Sequence, residues 1–317
     1  MSSPFLASID MGTNSFHLII VRVKKDGSFK IVDREREIIR LGSHKGEGLS
    51  FITKEETNEA IRILSSFKEL AGFYNAEIRA VATSAVREAH NKTEFIKTVY
   101  DTTGITVEAV DGREEAKLIF IGAKKALGLF DKKAFCMDIG GGSTEFVLGN
   151  NGEPEFAESV KIGAVRLSKM FFPNYIITDE AVKACEEYVS KEIYANPKLK
   201  LNAKFDIAVG SSGTIEAAAS MIYYLRHQKP KKSSNGFTFA FDELKTVTAG
   251  VFNCKTPEER LAIKGMEAKR ADIIPAGLII LNKVFEIFNL QSITISEYAL
   301  REGIILEMIE RKTSAAN

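Results

Sequence analysis

Two loops carry residues whose types and spacing could hold phosphate and a divalent cation. The first reads Asp10-Met-Gly-Thr-Asn-Ser15 and the second Asp138-Ile-Gly-Gly-Gly-Ser-Thr-Glu145. Each follows an apolar run that ends on the aspartate, and both place Asp, Gly and Ser at matched offsets. Small residues directly after a strand leave backbone N–H groups uncovered, so a phosphate oxygen can approach without meeting a Cβ. The candidate phosphate contacts are therefore Gly12, Thr13, Asn14 and Ser15 in one loop, and Gly140, Gly141, Gly142, Ser143 and Thr144 in the other. Asp10 and Asp138, at the strand ends, stand where Mg2+ would. Glu145 lies seven residues beyond Asp138 across a tight glycine turn. Both carboxylates can reach one hard cation, and Mg2+ takes a few carboxylates together with phosphate oxygens and retained waters. Either loop alone is also an ordinary turn, and Glu145 alone is equally a solvent-facing strand residue. The pairing is what argues for chemistry.

A third candidate is Glu115. The segment Asp111-Gly-Arg-Glu-Glu115 opens a helix whose apolar stripe is Ala116, Ile119, Phe120, Ala123 and Leu127. Asp111 and Glu114 have capping-box spacing and serve the exposed N–H groups of the first turn, which leaves Glu115 without a structural task. A lone first-turn glutamate is usually solvated. Glu115, however, stands about where one domain passes into the next, where it could serve as general base for an attacking water. The four histidines (His17, His44, His90 and His227) have no zinc-site spacing, and His17 reads as a strand residue beside its loop. Gly210-Ser-Ser-Gly213 misses the nucleophile-elbow pattern by one position, so serine hydrolase chemistry is unsupported.

The elements that must position these residues repeat along the chain. Asp10 and Asp138 are 128 residues apart, and each is followed 73 residues later by a strand-end hydroxyl, Thr83 in one half and Ser211 in the other. The first half predicts strands over 5–9, 17–23 and 29–32, and the second over 134–137, 144–148 and 156–160. Lys25-Asp-Gly27 and Asn150-Asn-Gly152 supply the matching turns. Helices are predicted over 54–72 with Thr53 as N-cap, over 84–101 with a break near Asn91, and over 112–127. The second half predicts helices over 164–172, 179–194, 213–226, 242–252 and 271–288. Strands at 105–110 and 292–296 and a helix at 300–310 complete the pattern. The expected fold is α/β, with duplicated domains facing each other across an interdomain cleft in which ligands belong.

Composition narrows the class little further. The chain has 317 residues, 45% hydrophobic and 27% charged, enough for two cores. Three cysteines without a CxxC pair suggest a reducing compartment. The N-terminus lacks a basic signal-like region and no run approaches the ~20 apolar residues needed to span a bilayer, so the expected location is the cytoplasm, with no membrane partner. Net charge is +1, so a polyanion would need a local basic surface. The run Arg226-His-Gln-Lys-Pro-Lys-Lys232 reads as an exposed, solvated loop that could extend such a track. No aromatic residues interleave with its lysines, so nucleic acid is not an expected partner.

Taken together, Asp10-Met-Gly-Thr-Asn-Ser-Phe-His17, Ala82-Thr-Ser-Ala-Val-Arg87, Glu114-Glu-Ala116, Asp138-Ile-Gly-Gly-Gly-Ser-Thr-Glu145, Gly210-Ser-Ser-Gly-Thr214, Arg270-Ala-Asp-Ile-Ile-Pro-Ala-Gly277 and Arg301-Glu-Gly303 resemble the Ppx/GppA phosphatases. That family comprises exopolyphosphatases and guanosine pentaphosphate phosphohydrolases. The resemblance runs in order over nearly the whole chain. It implies duplicated ribonuclease-H-like domains of the actin-like ATPase kind, divided as 1–122 plus 298–317 and 123–297. It implies Mg2+-dependent hydrolysis of terminal phosphoanhydride bonds in polyphosphate or guanosine pentaphosphate. By position, Glu115 matches the catalytic base, Arg87 and Arg270 the phosphate-gripping arginines, and Asp138 and Glu145 the magnesium ligands. Ser211, Ser212 and Gly213 join the phosphate-binding set. Guanosine tetraphosphate is a further expected ligand, and a homodimer is left open. Long members carry an extra helical C-terminal region beyond the motif at 301–303, and its absence from this sequence leads to an expectation of short substrates and non-processive release. Two alternatives come from other classes: an ATP-dependent kinase or ATPase of the same fold, and a non-enzymatic regulator that binds guanosine tetra- or pentaphosphate.

Overall fold

The structure, a computed structural model, describes residues 4–42, 51–199 and 202–316. His44 lies outside the described residues. The chain divides into two compact units, Met1–Gly122 with Leu300–Asn317, and Ala123–Ala299.

The first unit begins with an antiparallel meander of β1 (Phe5–Met11), β2 (Ser15–Val23) and β3 (Phe29–Ile38). Helix α1 (Lys54–Phe73) leads to β4 (Glu77–Ala82), then α2 (Ser84–Glu88), α3 (Lys92–Thr103), β5 (Val107–Ala109) and α4 (Gly112–Leu127), the last running into the second unit. The sheet order is β3-β2-β1-β4-β5, with β4 parallel to β1 and β5 parallel to β4. Thr53 and Glu56 close a full capping box at the start of α1, each backbone N–H bonded to the other's side chain.

The second unit repeats the plan. It runs β6 (Ala134–Ile139), β7 (Thr144–Asn150), β8 (Glu153–Val160), α5 (Ala164–Phe171), α6 (Asp179–Tyr194), β9 (Ile207–Ser211) and α7 (Gly213–His227). Then come β10 (Thr238–Ala240), α8 (Phe241–Asn253), α9 (Pro257–Arg260), α10 (Ile274–Ile287) and β11 (Ser292–Ile295). Its sheet order is β10-β11-β9-β6-β7-β8. Helix α11 (Leu300–Ala316) belongs to the first unit. Both sheets are mixed and both units are α/β, with the same central 3-2-1-4 strand order. The match reaches the irregularities: strand register shifts between Ile20 and Val21 in one unit and between Leu148 and Gly149 in the other, the same offset from each aspartate.

Strands β1 and β2 read as near-continuous apolar runs because both sheet faces are covered. Ala7, Ile9, Phe16, Leu18 and Ile20 pack with α1 and α3, whereas Leu6, Ile19 and Val21 pack with Leu118 and Ile119 of α4 and Leu300, Ile304 and Ile305 of α11. Asp10 and His17, directly paired across β1 and β2, lie by alternation on the α4/α11 face. In the second unit α10 is buried almost all round, from Ile274 to Phe285, and its Gly277 gives α7 room: a Cβ there would stand 2.5 Å from Cγ2 of Thr214. Burial pushes the thiols of Cys136 and Cys185 up to about 12, so both are inert core residues.

Several boundaries differ from expectation for identifiable reasons. The expected helix at 271 begins at Ile274 instead, with Pro275 in its first turn, and Ala268–Arg270 forms a separate 3-10 turn. Arg270 therefore precedes that helix and does not open it. Strand β10 and helix α9 carry no periodic signal at three and four residues, and the strand exists because it pairs with β11.

Gly303 marks where α11 crosses α4, since a Cβ on it would lie 1.9 Å from the Leu118 carbonyl oxygen. The obstacle is backbone and no rotamer relieves it. Gly303→Ala is expected to destabilise the protein by about 1–3 kcal/mol, read as a lower urea midpoint. Gly250→Ala, in open space within α8, is the control and should stabilise by roughly 0.5–1 kcal/mol. Equal midpoints would remove the close crossing.

Candidate active site

The two loops are one backbone turn built twice. In the first, the Gly12 N–H donates to the Ser15 carbonyl at 3.2 Å, and in the second the Gly140 N–H donates to the Ser143 carbonyl at 2.9 Å. A Cβ on Gly12 or Gly140 would come within 3.0 or 3.1 Å of that same carbonyl oxygen. The first loop is held from outside by Ile39 and Arg40, whose N–H groups both donate to the Asn14 carbonyl. The second is held by the start of α5: Ala164 N–H reaches Gly140 O, Val165 and Arg166 N–H reach Gly141 O, and Arg166 Nε donates to Gly142 O at 2.7 Å. In a planar trans peptide the N–H points opposite to its carbonyl. Anchoring these three carbonyls on α5 therefore aims the N–H groups of Gly141, Gly142 and Ser143 away from α5. Gly163 permits the approach, since a Cβ on it would meet Gly141 O at 2.5 Å.

Thr13 and Asn14 are buried, yet among the described residues the Thr13 Oγ1 and both amide atoms of Asn14 have no hydrogen-bond partner. A buried polar atom left unpaired costs about 1–3 kcal/mol, and such sites call for an explanation. A ligand rich in oxygen would satisfy them.

In the second unit Asp138 and Glu145 are directly opposed across β6 and β7. Like charges in that register destabilise a sheet unless something compensates them. Serine hydroxyls do part of this: Ser211 donates to Asp138 Oδ2 at 2.6 Å, and Ser143 and Ser159 both donate to Glu145 Oε1 at 2.7 Å. No group of three or more His, Cys, Asp or Glu residues forms a metal cage among the described residues. The donor set therefore fits a hard cation that keeps waters and shares phosphate oxygens, such as Mg2+, better than a metal held by protein alone. Asp10 is the penultimate residue of β1, as Asp138 is of β6, and stands opposite His17 where Asp138 faces Glu145.

Ser212 adopts φ 91°, ψ 160°, a region almost reserved for glycine, at the N-cap of α7. Its Oγ accepts from the Ile139 N–H at 3.2 Å, which helps hold the strained residue. The Arg270 guanidinium lies over Gly213, where a Cβ would fall 1.4 Å from Nη2, and its Nε donates to Glu267 at 3.0 Å. Asp138, Ser211, Ser212, Gly213 and Arg270 are thus linked within one unit. In the first unit Arg87 Nη1 donates to Glu115 Oε2 at 2.6 Å and to the Val110 carbonyl at 3.3 Å, and both side chains are largely buried. Asp111 caps α4 through the N–H groups of Arg113 and Glu114, while Glu114 itself pairs with Lys117 and does not close a capping box.

Two expectations change. Thr144 is fully buried and its hydroxyl donates to the Ile162 carbonyl at 2.6 Å, so it braces the loop and its side chain does not face a ligand. The basic run is not a free cationic loop: Arg226 lies in the last turn of α7, pairs with Glu243 and stacks on Phe237, and Lys231 pairs with Glu216 with its side chain 4% exposed. Lys229 and Lys232 remain exposed. Sequence reasoning missed Ser159, Glu267, Arg166 and the contacts of His17. Ser159 faces Glu145 only through the β7–β8 register, and Glu267 is defined only by the turn before α10.

The Ppx/GppA phosphatase family model matches residues 19–312. A Haemophilus influenzae protein whose name marks it as a candidate exopolyphosphatase is 30% identical over 304 residues, 96% of this chain and 91% of that protein. A guanosine-5'-triphosphate,3'-diphosphate pyrophosphatase of Vibrio parahaemolyticus is 31% identical over 316 residues, 98% of this chain, which spans only 60% of that longer relative. Among solved structures, an exopolyphosphatase from Cytophaga hutchinsonii superposes with a TM-score of 0.87 at 29% identity, covering 97% of this chain and 98% of the other. An Aquifex aeolicus member of the Ppx/GppA family gives 0.81 at 29% identity, with the same coverage.

Gly213→Ala tests the seat of Arg270. The displaced group is the far end of a flexible side chain, so the urea midpoint should hardly move. Affinity for inorganic tripolyphosphate, measured calorimetrically, should fall about tenfold, the worth of one charged hydrogen bond. Unchanged affinity would take Arg270 out of the phosphate-binding set.

Proposed function

The chain belongs to the Ppx/GppA phosphatase family, and on that premise we propose that it hydrolyses the terminal phosphoanhydride bond of inorganic polyphosphate, of guanosine pentaphosphate, or of both, releasing phosphate. The observation that carries this reading is the pair of matched glycine turns, one of them holding the buried Thr13 hydroxyl and Asn14 amide, which have no partner among the described residues. Phosphoryl transfer asks a protein chiefly for positioning and charge neutralisation, because little covalent chemistry falls to it. The turns offer backbone N–H groups to phosphate oxygens, and Ser15 and Ser212 add hydroxyls close by, while the Ser211 hydroxyl donates to Asp138.

Glu115 is the general base in this reading. Arg87 holds its Oε2, which orients the carboxylate. The carboxylate accepts a proton from the attacking water as the new oxygen–phosphorus bond forms and the bridging oxygen leaves with the shortened chain. Arg87 and Arg270 are the residues that would neutralise charge building on the transferred group, and a guanidinium suits this because it binds phosphate oxygens in pairs. Asp138 and Glu145 are the residues of the second unit that would hold Mg2+, and Asp10 is the corresponding carboxylate of the first. When bound, that ion supplies charge neutralisation on the phosphate oxygens. The leaving chain needs no proton from the protein, since a phosphate is a stable anion at neutral pH.

The test is phosphate release measured in parallel from short polyphosphate, long polyphosphate, guanosine pentaphosphate and ATP. ATP as the preferred substrate would favour an ATPase, and binding of guanosine pentaphosphate without release would favour a regulator. Glu115→Gln keeps an acceptor for Arg87 but loses the base, so turnover should fall by ~10²-fold or more with substrate binding retained. Near-normal turnover would remove Glu115 from the mechanism. Excess EDTA should abolish release, and Asp138→Asn should raise the magnesium concentration needed for half-activity without changing the urea midpoint. Full activity in EDTA would overturn the metal assignment.

A further inference from the structure

The two copies of the turn differ in one side chain that decides which way a hydroxyl points. Ser15 and Ser143 stand at the same offset in their loops, and the residue two positions on is His17 in one and Glu145 in the other. A carboxylate in its ionised form only accepts. The Ser143 hydroxyl therefore gives its proton to Glu145 Oε1, and the second loop has no hydroxyl hydrogen left at that position.

The first loop runs the opposite way. Arg301, in the first turn of α11, places Nη1 at 3.1 Å from Nδ1 of His17. A guanidinium has donors only and does not deprotonate, so Nδ1 must accept and the ring proton must sit on Nε2. Nε2 lies 2.8 Å from Ser15 Oγ. The ring therefore donates to Ser15, and the Ser15 hydroxyl proton must be directed to some other acceptor. Among the described residues the Ser15 side chain has no other partner. Helix α11 is itself fixed for this task, because the Ser8 hydroxyl donates to the Arg301 carbonyl at 3.0 Å and Gly303 seats the helix on α4.

We infer that Arg301 and His17 are positioning residues that make the Ser15 hydroxyl a dedicated donor to a phosphate oxygen, and that the duplicated turn has opposite polarity in its two copies. The first presents a hydrogen to an anion. The second presents oxygen to a cation. The inference rests on the phosphate-binding reading of residues 12–15.

The test begins with the unmodified chain. Long-range proton–nitrogen NMR correlations of the His17 ring, assigned by their loss in His17→Gln, should show the neutral Nε2–H tautomer, and Arg301→Met should convert it to a mixture. Calorimetry with inorganic tripolyphosphate supplies the second readout. Ser15→Ala and His17→Phe should each weaken binding about tenfold, and the double variant should be no weaker than either. His17→Gln, whose amide can still donate to Ser15, should stay within about threefold of the unmodified chain. An Nδ1–H tautomer, additive losses from Ser15→Ala and His17→Phe, or normal binding by His17→Phe would overturn the inference. The two readings fail separately: a chain that shows this tautomer and coupling yet hydrolyses nothing keeps the relay and loses the proposed function.

Discussion

Everything at the candidate site depends on one short backbone hydrogen bond made twice, from a glycine N–H at the end of a central strand to the carbonyl three residues on. That bond tightens the turn until no Cβ fits comfortably beside the carbonyl, which is why Gly12 and Gly140 are glycines. In the second loop the next amides are turned away from α5. The surrounding structure then fixes those amides by gripping the carbonyls behind them. Ile39 and Arg40 do this for the first loop and the first turn of α5 for the second. The donors of the α5 N-terminus are thus used inside the protein, to aim the loop, and are not themselves presented to a ligand. A preorganised set of dipoles of this kind needs little rearrangement when charge arrives, which is the usual source of electrostatic catalysis.

The arginines follow a related logic. Arg87 rests on Glu115 in a largely buried pair, and the largely buried Arg270 rests on the more exposed Glu267. A buried guanidinium without a counter-charge is costly, and a carboxylate at hydrogen-bond distance removes most of that cost while fixing the planar group in one orientation. A phosphate oxygen can take the place of a carboxylate oxygen, because both are anionic acceptors of the same geometry. On the proposed reading Glu115 gains twice from this arrangement, held in place by Arg87 before substrate arrives and released toward water as phosphate draws the guanidinium. Arg260 shows the contrast. It is fully buried, yet among the described residues its guanidinium donates only to backbone carbonyls, those of Cys254, Lys255, Tyr175 and Ala271, and burial lowers its pKa. It ties the turn after Arg270 to the rest of the unit and has no place in charge transfer.

Much of this plan was legible because duplication writes the same pattern twice. The offsets of 128 and 73 residues predicted two α/β units with equivalent strand ends, and the recurrence of the register shift after Ile20 and after Leu148 carries that equivalence down to single residues. What stayed hidden depends on which strand lies beside which, and on how far along. Ser159 reaches Glu145 because β8 pairs with β7 in one register, and a slip of one residue would turn it to the other face. Arg226 and Lys231 looked like parts of a solvated charge run because their partners, Glu243 and Glu216, are 17 and 15 residues away in sequence. Thr144 looked like a loop hydroxyl because its acceptor, Ile162, comes from the segment that returns after β8.

On the proposed reading, duplication gives each unit its own copy of the turn, and the two copies differ in what they offer. On that reading the first copy suits phosphate oxygens and the second a cation, and identical side chains would not serve both. The backbone turn could be retained, since both sides benefit from exposed amides and from a strand-end aspartate. The side chain opposite that aspartate differs between the copies while the turn is the same. At 145 it is a glutamate that takes up the loop serine's proton, and at 17 it is a histidine whose proton is set by Arg301 from another helix. The second solution needs a distant partner, and α11, the last helix of the chain, supplies it by packing back on β1 and α4. The terminal helix is therefore tied to the chemistry of the first loop as well as to the core it covers.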